Sequence, residues 1–340
     1  GGSFNELPHS LIVNEQDELI LFGTTSSRDF PTTVGCYDST FNGGPTVEFQ
    51  GLNVGFSGAD IIVCRMSPDG TDLLASTYVG GSDNDGLNQN GLLTYNYADE
   101  VRGEVIVDGA GNIYVAASTL STDFPTTPGA VQSAVGGLQD ACIFKMDGSL
   151  STLIWSTLLG GSDVDGAYSM AIDETGHLVV AGGTRSPDFP VLNAWQPTYG
   201  GGRADGFIAK LHENGQLLLH STFYGRDTYD QIYFVDLGRD DSIHVLGQTL
   251  HTGSFFTDGA TFGDPGAGQF ISKFDAAASA RDWSTTFGNG GGTPDISPTA
   301  FLVDVCDQIY VAGWGGATNG FGGTTGLAVT SDALQPITDG

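Results

Sequence analysis

Apolar and polar positions along this chain recur in one order at a nearly fixed spacing. Runs of mostly apolar residues open at Ile113 (Ile-Tyr-Val-Ala-Ala-Ser-Thr), Leu178 (Leu-Val-Val-Ala-Gly-Gly-Thr), Ile243 (Ile-His-Val-Leu-Gly-Gln-Thr) and Ile309 (Ile-Tyr-Val-Ala-Gly-Trp-Gly). The steps are 65, 65 and 66 residues (178−113, 243−178, 309−243). An earlier copy, Leu19-Ile-Leu-Phe-Gly-Thr-Thr, opens 94 residues before Ile113 (113−19), so that unit carries insertions. A fixed period in this range marks a supersecondary unit stacked on copies of itself. No stretch places apolar residues at i, i+3, i+4 and i+7 over three turns, so helices are not expected.

The unit from Ala167 to Gly225 shows the pattern in full. Tyr168-Ser-Met-Ala-Ile-Asp is a short strand, and Glu174-Thr-Gly-His is a turn with Gly where positive φ is needed. The continuous apolar run from Leu178 predicts a strand covered on both faces. A long connection leads to Gly206-Phe-Ile-Ala-Lys-Leu, and Asn214-Gly215 predicts a hairpin into Leu217-Leu-Leu-His-Ser-Thr-Phe. Third strands recur at Asp60-Ile-Ile-Val-Cys-Arg, Asp140-Ala-Cys-Ile-Phe-Lys and Gln269-Phe-Ile-Ser-Lys. Fourth strands recur at Ser76-Thr-Tyr, Ser156-Thr-Leu and Ser284-Thr-Thr. The sequence thus predicts an all-β chain, a β-propeller of four-stranded antiparallel blades with about 65 residues per repeat. All of 1–340 reads as part of one propeller domain. Blade 1 covers about 1–82, blade 2 about 83–162, blade 3 about 163–226, blade 4 about 227–290 and a half blade about 291–340. Gly1-Gly-Ser aligns with Gly160-Gly-Ser, and Asp332-Ala-Leu-Gln-Pro with Asn193-Ala-Trp-Gln-Pro. Both ends therefore fall in mid-repeat, and the expectation is a piece of a longer protein whose other segments complete the blade.

Composition narrows the surroundings. A net charge of −29, from 40 acidic and 11 basic residues, argues against nucleic acid and anionic membranes as partners. No apolar run approaches the roughly 18 residues of a membrane helix, so membrane insertion is not expected. Cys36, Cys64, Cys142 and Cys306 share no repeat position and form no C-x-x-C pair. Cys64 and Cys142 fall within strands and read as small buried residues, with one disulfide left open.

The connection between second and third strands carries Asp29-Phe-Pro, Asp123-Phe-Pro and Asp188-Phe-Pro. Proline cannot enter a sheet interior, so this segment should lie outside the ladder with Phe30, Phe124 and Phe189 as wedges beneath it. Together with Gly111-Asn-Ile-Tyr-Val-Ala, Ser121-Thr-Asp-Phe-Pro-Thr-Thr-Pro-Gly-Ala-Val-Gln, Asp205-Gly-Phe-Ile-Ala-Lys-Leu and Trp155-Ser-Thr-Leu-Leu-Gly-Gly-Ser, these segments resemble the SBBP ("seven-bladed beta-propeller") repeat family. The likeness covers nearly the whole chain. The fourth unit departs from it, with His251-Thr-Gly-Ser-Phe-Phe in place of Asp-Phe-Pro. The first adds loops at Phe41–Gly58 and Asn88–Ala98, where unit-specific contacts would be made. The resemblance implies a large secreted or surface protein of the bacterial cell exterior, in many cases a type IX secretion client, with an adhesive or scaffold role.

Candidate chemistry is sparse. Asp83 with Asp85, and Asp163 with Asp165, are paired carboxylates in Gly turns that could hold Ca²⁺; no other cofactor is implied. The bases closing the third strands (Arg65, Lys145, Lys210, Lys273) and the acids after the first strands (Asp108, Asp173, Asp236, Asp304) suggest a repeated, exposed intra-blade ion pair. The sequence carries no nucleophile-elbow, zinc-protease, Walker or dinucleotide motif, and the six histidines are scattered, mostly at turns. No catalytic residue is assigned and no enzymatic activity is expected. The favoured reading is a structural or adhesive module mediating assembly as a homo-oligomer, filament or surface attachment. The alternative is a glycan-binding or glycan-hydrolysing propeller with its site in the central channel.

Overall fold

The computed structural model describes residues 1–49, 54–96, 99–260, 262–315, 326–327, 329–330 and 332–335. Among them the chain is all-β apart from two short 3-10 turns, Asp99–Val101 and Ser254–Phe256. Its main sheets are four-stranded and antiparallel, as the blades of a β-propeller are. Two compact units are present: residues 1–169 with 188–190 and 212–218, and residues 170–187 with 191–211 and 219–340.

The first unit holds β1 (Glu6–Val13), β2 (Leu19–Thr25), β3 (Thr46–Phe49), β4 (Val54–Ser57), β5 (Asp60–Met66), β6 (Leu73–Val79), β7 (Glu104–Val107), β8 (Ile113–Thr119), β9 (Asp140–Met146) and β10 (Leu153–Leu159). They form the sheets β1-β2-β5-β6 and β7-β8-β9-β10, with β3 and β4 as a separate hairpin. That hairpin is the Phe41–Gly58 insertion. Its Phe56 packs with Ala59 and Leu87, while Phe41 packs with Ile62 and Tyr78, so much of the inserted apolar surface is buried within the unit. Phe22, Val63, Val115 and Phe144 share one core with Val105 and Cys142.

The second unit holds the sheet β11-β12-β13-β14 from Met170 onward, then β15-β16-β17-β18 and the two-stranded β19-β20. The ranges are β11 (Asp165–Ile172), β12 (Leu178–Thr184), β13 (Asp205–Leu211), β14 (Leu218–Tyr224), β15 (Asp230–Leu237), β16 (Ile243–Thr249), β17 (Gln269–Phe274), β18 (Arg281–Phe287), β19 (Ser297–Val303) and β20 (Ile309–Trp314). Its core gathers Val179, Ile208, Tyr224, Val245 and Phe270. β8, β12 and β16 are buried at every position, which is why their sequences read as apolar runs without alternation.

The Asp-Phe-Pro connection leaves the ladder and returns along the outer edge of the fourth strand. Thr127 N–H donates to the Ser156 carbonyl at 3.1 Å, and the Leu192 and Ser221 backbones exchange bonds at 3.0 and 2.9 Å. The recurrent Ser-Thr then has a cause. Gln132 and Gln196 N–H groups donate to the Thr157 and Thr222 hydroxyls at 3.1 and 2.8 Å, pinning the connection to its strand.

Each fourth strand runs into a glycine pressed against carboxylates. A Cβ on Gly160 would stand 2.6 Å from Asp140 Oδ1 and 2.9 Å from Asp165 Oδ2, and one on Gly225 2.6 Å from Asp205 Oδ1. A Gly160→Ala chain is expected to lose about 1–3 kcal/mol by overpacking. Gly109→Ala, where nothing lies within 4 Å, should stay near native stability. Denaturant melts of the two variants check this, and equal stability would refute it.

Candidate functional site

The segment after each fourth strand carries one buried carboxylate that closes the turn. Asp85 Oδ2 accepts the Gly81 N–H at 2.7 Å and the Ser121 hydroxyl at 2.9 Å, while Oδ1 accepts the Thr119 hydroxyl. Glu6 does the same at the start of the chain, taking the Gly2 N–H at 2.9 Å and the Thr25 hydroxyl at 3.2 Å. Asp165, Asp230 and Asp295 accept the N–H groups of Gly161, Arg226 and Asn289 at 2.8, 2.7 and 2.9 Å.

A second carboxylate opens each of the first three third strands. Asp60 accepts the Asn42 and Gly43 N–H groups at 2.6 and 2.8 Å, Asp140 the Gly136 N–H at 2.8 Å, and Asp205 the Gly200 N–H at 2.6 Å. Gln132 and Gln196 bind this carboxylate and the step glycine together. Their amide nitrogens donate to Asp140 and Asp205 at 2.6 and 3.3 Å, and their oxygens accept from Gly160 and Gly225 at 2.9 and 3.2 Å. In the fourth unit Gln269 replaces the strand-opening Asp.

Burial dominates the electrostatics here. It pushes Asp85 up to about 8 against the bonds from Thr119, Gly81 and Ser121, and Asp60 to about 6. Asp205 rises to about 8 by burial, aided by the charge of Asp230, which itself rises to about 7. An unfolded Asp titrates near 4, so the folded chain binds these protons more tightly. That stability is fully present below about pH 4 and is lost as pH rises through the folded values, about 6 to 8. The melting temperature should therefore fall between pH 5 and pH 9, and less steeply in Asp85→Asn. A melting temperature that rises over this interval would contradict the assignment.

The exposed carboxylates are latches. Asp29, Asp123 and Asp188 of the Asp-Phe-Pro turns each accept the N–H of the Gly-Gly-Ser serine, Ser3, Ser82 and Ser162, at 2.8, 2.8 and 2.9 Å. The serine hydroxyls add bonds of 2.8, 3.0 and 2.8 Å. These backbone bonds hold all three carboxyls below the usual range. The fourth unit reverses the polarity: Asp227 of the step meets His251 of the connection at 3.4 Å. Phe124 and Phe189 are buried and Phe30 half-buried, with Phe124 6.3 Å from Phe144 and Phe30 6.2 Å from Tyr78. Phe256, stacked on Phe270 at 4.4 Å, is the buried aromatic of the fourth connection.

The two residues of the first candidate cation pair do different work. Asp83 Oδ1 accepts the Asn84 N–H at 2.8 Å, whereas Asp85 is buried in its turn. Of the second pair, Asp165 is buried and the Asp163 carbonyl accepts the Leu138 N–H at 2.8 Å. Among the described residues no group of three or more His, Cys, Asp or Glu is placed to hold a metal ion. The four thiols are free, so the disulfide left open by the sequence is not formed. His9, His220 and His244 lie on β1, β14 and β16 rather than at turns, and burial pushes His9 down to about 3.

Lys145 meets Asp108 at 3.0 Å and Lys210 meets Asp173 at 2.8 Å. These pairs are largely buried rather than exposed, with the Lys210 and Asp173 side chains 11% and 2% accessible. Burial alone would raise Asp173, but Lys210, Thr175 and His177 together hold it at about 2. Arg65 lies 3.7 Å from Glu18, because Asn14 stands at the turn position of Asp108, Asp173 and Asp304, where the fourth unit has Gly238. Asp236 instead accepts the Val303 and Leu237 N–H groups at 2.7 and 2.8 Å. Removing one partner strands a buried charge, so Lys210→Met should cost about 3 kcal/mol. Lys210→Met/Asp173→Leu should recover much of it, as read by denaturant unfolding; equal losses in the single and double variants would refute the pairing.

Sequence reading missed Glu6, Asp60, Asp140, Asp205, Gln132 and Gln196. A signal existed: Asp165, Asp230 and Asp295 stand at steps of 65 and 65, as do Asp140 and Asp205 (205−140).

One open groove of about 580 Å³ lies in the first unit, lined by Thr127, Lys145, Ile154, Trp155, Glu213, Asn214 and Gln216 among others. The Trp155 indole underlies it, only 4% accessible, edge-on to Tyr114 at 5.9 Å, with Nε1 donating to the Glu213 carbonyl at 3.0 Å. Gly215, at φ +68°, lies against the indole, where any side chain would collide with the ring. Gln216 Nε2 donates to the Pro128 carbonyl at 3.2 Å and fixes the rim. Glu213, Asn214 and Gln216 are exposed, and Ile154 is 43% accessible.

No protein-family model matches the chain, and no curated protein is significantly similar to it in sequence. Among solved structures it is similar to a protein of unknown function from Dyadobacter fermentans DSM 18053, at 12% identity and a TM-score of 0.45, over 92% of this chain and 77% of that one. The Hadza microbial sialidase Hz136 aligns at 12% identity and TM-score 0.41, over 83% of this chain and 46% of that one. A GH43_12 protein from a capybara gut metagenome aligns at 11% and 0.35, over 83% and 41%. The chain thus spans about half the length of the sialidase or less. The expectation of no enzymatic activity is corrected by these neighbours, which include sialidases and GH43 proteins. Likeness at this level assigns no activity to the present chain.

Proposed function

We propose that the chain is an adhesive β-propeller module of a large secreted, cell-surface protein, and that what it holds is carbohydrate. The Trp155 groove carries the reading. A sugar has an apolar C–H face and a rim of hydroxyls, and the groove answers both, with the exposed Ile154 side chain, backed by the buried Trp155, beside a carboxylate and two amides. The Glu213 carboxylate accepts hydroxyl protons only, whereas Asn214 and Gln216 donate and accept, which suits vicinal hydroxyls. Gly215 and the Gln216–Pro128 bond preset the rim, so little ordering is required on binding. The resemblance to SBBP repeats supports the extracellular setting, and the acidic surface suits neutral or basic glycans over strongly anionic ones.

The test is a glycan array followed by titration calorimetry on the hits. The native chain is expected to retain neutral glycans, and Glu213→Ala/Asn214→Ala/Gln216→Ala to lose at least about tenfold in affinity, roughly 1.4 kcal/mol, with an unchanged melting curve. Retention of no glycan by the native chain, or undiminished binding by the variant, would overturn the proposal. Release of free sugar from a retained glycan would move the reading from recognition to hydrolysis.

A further inference from the structure

An asparagine followed by glycine can be attacked at its side chain by the next backbone nitrogen, because glycine has no Cβ to hinder the approach. Four such pairs lie among the described residues, opening at Asn42, Asn90, Asn214 and Asn289. The fold treats them differently. The Gly43 N–H donates to the buried Asp60 carboxylate at 2.8 Å, and the Gly215 N–H to the His212 carbonyl at 2.8 Å. In both pairs the nitrogen that would have to attack is engaged. Nothing among the described residues accepts the Gly290 N–H.

The fourth blade step surrounds Asn289 with what such a reaction needs. Asn289 follows the step glycine Gly288, at the place of Gly81, Gly161 and Arg226 in the earlier steps. Its main-chain N–H donates to the buried Asp295 at 2.9 Å, which fixes the residue in the turn. Asn289 Oδ1 accepts the Gly291 N–H at 2.7 Å. That bond arches the carboxamide over the Asn289–Gly290 peptide. It also sets a donor on the oxygen where negative charge develops as Cγ becomes tetrahedral. The Asn289 side-chain amide donates to Asp295 as well, and burial pushes the Asp295 carboxyl above its usual range. An acid that keeps its proton more readily therefore stands beside the nitrogen that must leave.

We infer that Asn289–Gly290 is a self-modification site, at which the folded chain converts its own asparagine to aspartate or isoaspartate. The Gly290 nitrogen bonds to Asn289 Cγ and the Cγ–Nδ2 bond breaks. The proton lost by the Gly290 nitrogen departs with Nδ2 as ammonia. Water then opens the five-membered imide at one carbonyl or the other. The net change is asparagine and water to aspartate or isoaspartate and ammonia, with no oxidant or second protein. Either product sets a new carboxylate beside Asp295, and isoaspartate also lengthens the backbone by one carbon, so the step between β18 and β19 loosens. Carbohydrate plays no part in this chemistry, which stands or falls apart from the groove.

The experiment ages the whole chain in mildly alkaline buffer and follows each pair by peptide mapping that resolves aspartate from isoaspartate. In the folded chain Asn289 is expected to convert at least about tenfold faster than Asn42 and Asn214. In denaturant the pairs should convert at comparable rates. Asp295→Asn keeps an acceptor for the Asn289 N–H but removes the acid, and should slow Asn289 severalfold. Asn90, whose Oδ1 accepts the Leu92 N–H at 2.9 Å, is the control that this variant should leave unchanged. The melting temperature of the native chain should fall as Asn289 converts, and that of Asn289→Gln should hold over the same interval. Conversion of Asn289 no faster than that of Asn42 and Asn214 in the folded chain would overturn the inference. So would a lead for Asn289 that persists undiminished in denaturant, since the sequence alone would then account for it.

Discussion

One interaction organises the repeats: a carboxylate at each blade step, buried in all but the half-buried Glu6, accepting the backbone N–H that the turn would otherwise leave unpaired. A buried orphan donor costs as much as a lost hydrogen bond or more. The chain therefore keeps Glu6, Asp85, Asp165, Asp230 and Asp295 where a metal ligand could have been read. Around that bond the other signature residues take their places. The step glycine gives the carboxylates room, the glutamine of the connection bridges glycine and strand-opening Asp, and the Thr of the fourth strand pins the glutamine. The repeat is conserved within the chain because these contacts depend on one another, and none of them requires a ligand.

The fold was legible because its signals are periodic. Strands enclosed on both faces appear as apolar runs, and the Asn214-Gly215 and Gly176 turns announce their backbone conformations. The buried acids were not legible as such. A sequence shows an Asp but not its solvent access, so Asp85 and Asp165 looked like solvated partners of Asp83 and Asp163. Asp230 keeps the same backbone bond although Arg226 and Asp227 replace the Gly-Ser of the other copies. The groove was equally hidden. Its floor and rim come from β10 and from the turn after β13, 58 residues apart at the Trp155–Glu213 bond, and only the folded chain brings them together.

The Trp155 groove is a finished feature of the surface: its rim is fixed by backbone and amide bonds, and the indole beneath it is already packed.

Copies built on one strand pattern also carry a hazard during folding, because any second strand offers an apolar face to any third strand. Mispairing of this sort is a known failure of repeat proteins. The reversed latch of the fourth unit then acquires a meaning as an address. Were the step carrying Asp227 to meet an Asp-Phe-Pro connection from another copy, carboxylate would face carboxylate. Its own connection offers it His251 in place of that carboxylate. The departures from the repeat are thus the marks by which the copies tell themselves apart.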